Sequence, residues 1–126
     1  MVQGKRYNDL AAKIVAGHFE ITAGVTQEKG GGDEGPSPHE ILEAALAACT
    51  IITVQMYANR KGWKLESTDV KITIDSESKT ESKISRELTF KGELDAEQKQ
   101  RLFEIAEKCP IHNLLESHIT ITSTMV

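Results

Sequence analysis

Apolar residues alternate with polar ones in four parts of this chain. In residues 18–26, HFEITAGVT, Phe19, Ile21, Ala23 and Val25 share one parity, which predicts a strand. The patch Ile14-Val15-Ala16 predicts an earlier strand joined to it through Gly17-His18. Val70, Ile72 and Ile74 alternate in DVKITID. Ile84, Leu88 and Phe90 alternate in KISRELTFKGEL, with Arg86 at the same parity. The polar SESKTES between these two runs suits a hairpin loop. The last residues, HITITSTMV, alternate at Ile119 and Ile121 and predict a closing strand over 118–126.

Helical patterning fills the gaps. Ser37 is a good N-cap, Pro38 suits a first helical position, and Glu40 three residues on completes a capping box. The helix runs from Pro38 to about Lys61, with Gly62 as its stop. At ~1.5 Å per residue it is roughly 36 Å long. Its middle, Ala44 to Val54, is apolar on nearly every side, the mark of a buried helix. A second helix starts at Asp95, with Gln98 at the third position, carries Leu102, Phe103, Ile105 and Ala106, and ends near Lys108. Pro110 opens a short third one, PIHNLLES. The stretch QEKGGGDEGPSP, with three consecutive glycines, reads as a mobile loop.

Strands, a long helix, a hairpin, two helices and a strand predict one α+β domain over residues 1–126, with an antiparallel or mixed sheet. A helix apolar all round needs cover all round, and one sheet covers one side. A second copy of the chain is therefore expected to supply the rest, as an obligate homodimer.

Composition narrows the partners. The chain has 126 residues, 39% hydrophobic and 27% charged, enough to build a core. A net charge of -4, with no basic cluster, argues against nucleic acid. The N-terminus lacks the apolar stretch of a secretory signal, and Ile41–Val54 is too short to span a bilayer. A soluble, cytoplasmic protein with no membrane partner is expected. Two cysteines without a C-x-x-C spacing fit neither a disulfide framework nor a zinc knuckle. The four histidines, His18, His39, His112 and His118, are scattered and show no metal spacing, and no cofactor is implied.

The two cysteines carry the candidate chemistry. From position alone Cys49 packs as a small hydrophobe. Yet small alanines precede it, and Thr53, one turn on, brings a hydroxyl to the sulfur. Thr50 has the option of bonding back to its own helix. Cys109 precedes Pro110 and so is placed as an N-cap, where unpaired backbone N–H groups and the positive helix end favour a thiolate. His112, three residues on, is within sharing distance of a proton, but with no visible partner it reads as a surface histidine. If the fold joins the two thiols, Cys49 attacks a peroxide oxygen and Cys109 resolves the sulfenic acid as a disulfide.

GGGDEGPSPHEILEAALAACT, FKGELDAEQKQRLFEIAEKCPI and HITITSTMV, taken in order, resemble the OsmC/Ohr family over nearly the whole chain. The resemblance implies an intertwined α+β homodimer, with two central helices wrapped by strands of both subunits. It implies thiol-dependent reduction of organic hydroperoxides in oxidative or osmotic stress defence, with electrons returned by a dithiol such as lipoyl groups. Cys49 matches the family's peroxide-attacking cysteine and Cys109 its resolving one.

Two departures bear on the site. The family's peroxidases carry a glutamate directly after the helix-opening proline, and an arginine that it holds over the thiolate. Here that position is His39, and Glu40 is shifted by one onto the face opposite Cys49, so Glu40 caps and His39 is the stand-in proton or hydrogen-bond partner. No arginine lies between Arg6 and Arg60. Arg86 is the candidate substitute, although an arginine at such a position ordinarily snorkels to solvent. The expectation is a divergent thiol peroxidase with Cys49, Cys109, His39 and Arg86 at its site. The rival is a non-enzymatic relative that binds a small apolar or thiol-reactive molecule, with Cys49 packing or sensing.

Overall fold

In the computed structural model, which describes residues 1–126, the chain divides into two compact units, Met1–Ala44 and Ala45–Val126. The first holds an antiparallel meander of β1 (Gln3–Asn8), β2 (Ala11–Ala16) and β3 (Phe19–Ala23). β1 escaped the sequence pattern. Its residues, QGKRYN, are exposed on both faces, so no alternation marks it, and pairing with β2 alone makes it a strand. The glycine-rich loop is tied down rather than open. Gly24 N–H donates to Pro36 C=O at 3.1 Å and Asp33 N–H to Val25 C=O at 2.9 Å. At Gly35 a Cβ would stand 1.9 Å from the Thr22 carbonyl oxygen, so only glycine lets the loop approach β3 this closely.

The predicted capping box closes this unit. Glu40 N–H donates to Ser37 Oγ at 3.2 Å, and Ser37 N–H to the Glu40 carboxylate at 3.0 Å. That backbone bond, and then the hydroxyl, hold the Glu40 carboxyl below its usual range. A lowered native value means the cap's contribution is present above the ordinary carboxylate range and fades as pH falls through the lowered one.

The second unit contains the remainder of α1 (Pro38–Lys61), the hairpin β4 (Lys64–Glu77) and β5 (Ser82–Glu93), α2 (Ala96–Ala106) and α3 (Pro110–Glu116). α1 ends in a Schellman turn. Trp63 N–H reaches Ala58 C=O and Gly62 N–H reaches Asn59 C=O, with Gly62 at φ 70. The turn sets Trp63 edge-on to Tyr57, ring centroids 5.6 Å apart. α2 opens on the predicted Asp95–Gln98 capping box, and Cys109 is the N-cap of α3 with Pro110 behind it. The hairpin loop is shorter than SESKTES, because pairing continues to Glu77↔Ser82.

The core joins Val54, Tyr57 and Ala58 of α1 to Leu65 of β4 and Leu102, Ile105 and Ala106 of α2, with Trp63, Leu88, Phe90 and Leu94 against it. Alternation along β5 turns Ile84, Arg86, Leu88 and Phe90 to one side, where Arg86 lies opposite Ile72 of β4.

Two expectations need correction. Residues 118–126 form no strand. A strand requires a neighbouring ladder, none within the chain receives this segment, and Ile119 and Ile121 are exposed. Within one chain α1 is covered along one side only. Leu46, Thr50, Val54, Tyr57 and Ala58 are buried, but Ala45, Ala48, Ile52 and Met56 face outward, Ile52 at 58% and Met56 at 67% exposure. By length and composition α1 is also long and apolar enough to cross a membrane, because its apolar window extends beyond Val54.

Candidate active site

Thr50 is the joint of the site. It sits on the buried stripe of α1, and its Oγ1 lies 2.7 Å from the Leu46 carbonyl oxygen, to which it donates. The same oxygen accepts from Arg86 Nη1 at 3.1 Å and lies 3.8 Å from Cys109 Sγ. One hydroxyl thus links the residue after Cys49, the arginine of β5 and the cysteine before α3. These positions are 36 and 59 residues from Thr50 in sequence.

Arg86 does not snorkel. Its side chain is only 9% exposed. Beyond Thr50 it contacts His112 Nδ1 at 3.0 Å through Nη2, and Glu107 Oε1 at 3.4 Å. A buried cation is costly unless paired and hydrogen-bonded, which these three acceptors achieve. The inward parity of β5 aims the side chain, and the buried hydroxyl of Thr50 receives it.

His112 is likewise not a surface histidine. It is 19% exposed, and its Nε2 faces the carboxylates of Glu116, in close contact, and Glu107 at 3.8 Å. Its backbone N–H donates to Cys109 Sγ at 3.4 Å, the cap bond of α3. Glu116 was legible as the residue one turn after His112. Glu107 carried no such signal, since its role depends on where the end of α2 meets β5.

Cys109 is wholly buried and Cys49 half-buried; both are free thiols. Cys49 Sγ lies 3.9 Å from Thr53 Oγ1, the neighbour expected from helical spacing. At about 100° per residue its side chain leaves α1 roughly a quarter turn from Thr50, at the border with the outward stripe of Ala45, Ile52 and Met56. Arg86 therefore serves Thr50 and the Cys109 side of the cluster rather than Cys49. His39 is exposed in the first turn of α1, within the other unit. No three His, Cys, Asp or Glu side chains are arranged so as to hold a metal ion. A groove of about 550 Å³ at Tyr57, Trp63, Gln98 and Arg101 contains neither cysteine. There Arg101 Nε donates to the Tyr57 hydroxyl at 3.1 Å and holds that phenol below its usual range.

The sequence profile of the family described as OsmC-like protein matches residues 30–124, a stretch that runs from the glycine-rich loop through both cysteines. The chain belongs to the OsmC-like family. Among curated proteins none matches it. Solved structures share the OsmC-like fold. An OsmC like protein from Mycoplasma pneumoniae is 17% identical, with 92% of this chain and 86% of that one covered at a TM-score of 0.75. An organic hydroperoxide resistance protein, OsmC, from Legionella pneumophila is 19% identical, covering 92% and 88% at 0.67. An organic hydroperoxide resistance protein from Elizabethkingia anophelis, with thiocyanate bound, is 20% identical, covering 92% and 88% at 0.67. At these identities the likeness is one of fold, and the α+β architecture of this OsmC-like chain, with antiparallel sheets, agrees with it.

Proposed function

We propose that this OsmC-like protein reduces organic hydroperoxides with Cys49 as nucleophile and Cys109 as resolving thiol. The observation that carries the reading is the Thr50 hydroxyl, which brings Cys109 and the buried Arg86 cation to the residue next to Cys49. The names of two neighbours, both organic hydroperoxide resistance proteins, point the same way.

In the first step the Cys49 thiolate attacks the terminal peroxide oxygen. The O–O bond breaks, an S–O bond forms, and the departing alkoxide takes a proton from water to leave as the alcohol. The sulfur is oxidised by two electrons to a sulfenic acid. The Cys109 thiolate then attacks the Cys49 sulfur, hydroxide leaves and is protonated to water, and the pair is a disulfide. A dithiol such as a lipoyl group reduces it by two exchanges and becomes a disulfide itself. Arg86 serves the second step through Thr50, whose hydroxyl it contacts at 3.1 Å and which lies 3.8 Å from Cys109 Sγ. With wild type, cumene hydroperoxide is expected to disappear in step with dithiol oxidation. Cys49→Ser should abolish this, and equal rates for the two proteins would end the reading.

The same proposal includes a homodimer. The outward stripe of α1 is apolar for several turns, and the chain ends in an alternating segment without a ladder. A second copy would cover the stripe and offer the terminal segment a sheet edge, reciprocally in both protomers. It would also wall the open side of Cys49. Light scattering after size exclusion is expected to give the dimer mass, whereas a stable monomer at micromolar concentration would remove this part.

A further inference from the structure

We propose that His112 is a positioning residue. Its unprotonated Nδ1 holds the Arg86 guanidinium against Thr50 beside Cys109, so a second proton on the imidazole releases Arg86 and slows disulfide formation in acid. The kinetic part rests on the peroxidase reading above; the structural part does not.

Donor chemistry fixes the tautomer. A guanidinium has donors only, so its 3.0 Å contact with Nδ1 requires that nitrogen to accept. The ring proton then sits on Nε2, where Glu116 of α3 and Glu107 at the end of α2 wait as acceptors. Facing His112 are therefore Arg86 from β5, Glu107 from the end of α2, Glu116 from its own helix and Cys109 at the cap. Thr50 of α1 reaches Arg86 rather than the ring. A second proton on the imidazole would sit on Nδ1, the nitrogen that faces Arg86. Once it arrives, an N–H and a positive charge face the N–H groups and charge of Arg86 across the same short contact. Glu107, about half exposed, already pairs with the same Nη2 at 3.4 Å and remains its partner when the His112 contact is lost. With Glu107 as the remaining charged partner, the cation is drawn toward solvent, away from Thr50 and Cys109.

His112→Asn and His112→Leu separate this role from a structural one. Asn places an acceptor oxygen where Nδ1 stands and does not titrate; Leu supplies no acceptor. In a Cys49→Ser background, ultraviolet thiolate absorbance reports Cys109 alone. His112→Asn is expected to keep the wild-type onset of thiolate formation. His112→Leu should shift it upward in pH. With Cys49 present, single-turnover thiol loss should fall about tenfold in His112→Leu. In His112→Asn the rate is retained and its acid limb is reduced. Nitrogen NMR of the imidazole should show a bare Nδ1 and a protonated Nε2 at neutral pH. A protonated Nδ1 there, or identical behaviour of the Asn and Leu variants, overturns the proposal. A protein that reduces no peroxide but passes the absorbance and NMR arms would fail the functional reading and leave this role of His112 standing.

Discussion

Cys109→Ser is expected to halve the thiol consumed per hydroperoxide. Without added reductant, wild type should lose both thiols for each peroxide reduced, because the sulfenic acid on Cys49 is converted to a disulfide. The variant should lose one and stop as a sulfenic acid that dimedone labels at Cys49. The serine hydroxyl fits the site of a buried sulfur whose contacts are the Thr50 hydroxyl and the His112 N–H, both compatible with oxygen. Folding should survive, which circular dichroism would verify. The decisive measurement is free thiol against peroxide added, with mass spectrometry of the product. If the variant gave the wild-type ratio, or if the wild type never formed a Cys49–Cys109 disulfide, Cys109 would not be the resolving thiol. Dithiol must be absent during oxidation, since a small reductant attacks the sulfenic acid directly and hides the difference.

Leu102→Ala should be the most damaging single change to the fold. Leu102 is wholly buried between α1, β4 and the rest of α2, and it is among the largest side chains so enclosed. Its truncation leaves a cavity bounded by Val54, Leu65 and Ile105, side chains held on three different elements that cannot all collapse inward. Such substitutions cost about 2–5 kcal/mol, against a total of roughly 5–15 kcal/mol for a domain. Urea denaturation at one fixed protein concentration is the appropriate measurement, because dimerisation would add a concentration-dependent term. A loss below about 1 kcal/mol would mean that the packing around α2 is looser than the burial implies.

Much of the local structure was written in the order of residues. Ser37, Pro38 and Glu40 announced the start of α1 because the chemistry of a cap lies within four residues. Gly62 announced its end, and Asp95 with Gln98 did the same for α2. Cys109 as the cap before Pro110 followed from the same logic. β1 was illegible because a strand exposed on both faces has no hydrophobic period. The segment 118–126 misled for the opposite reason: its alternation is a strand's, but a strand is a relation between two segments, and the chain alone offers it no partner.

The site divides along the same line. Residue order was enough to pair Cys49 with Thr53 and to give Arg86 the parity of Ile84, Leu88 and Phe90, since helix and strand periods are local properties of the backbone. Whether Arg86 turns outward or inward, and whether His112 stands alone, depended on partners far away in sequence. Only the packing of α1, β5 and α3 around the Thr50 hydroxyl decided those points, because a buried charge takes whatever acceptors the folded neighbours present.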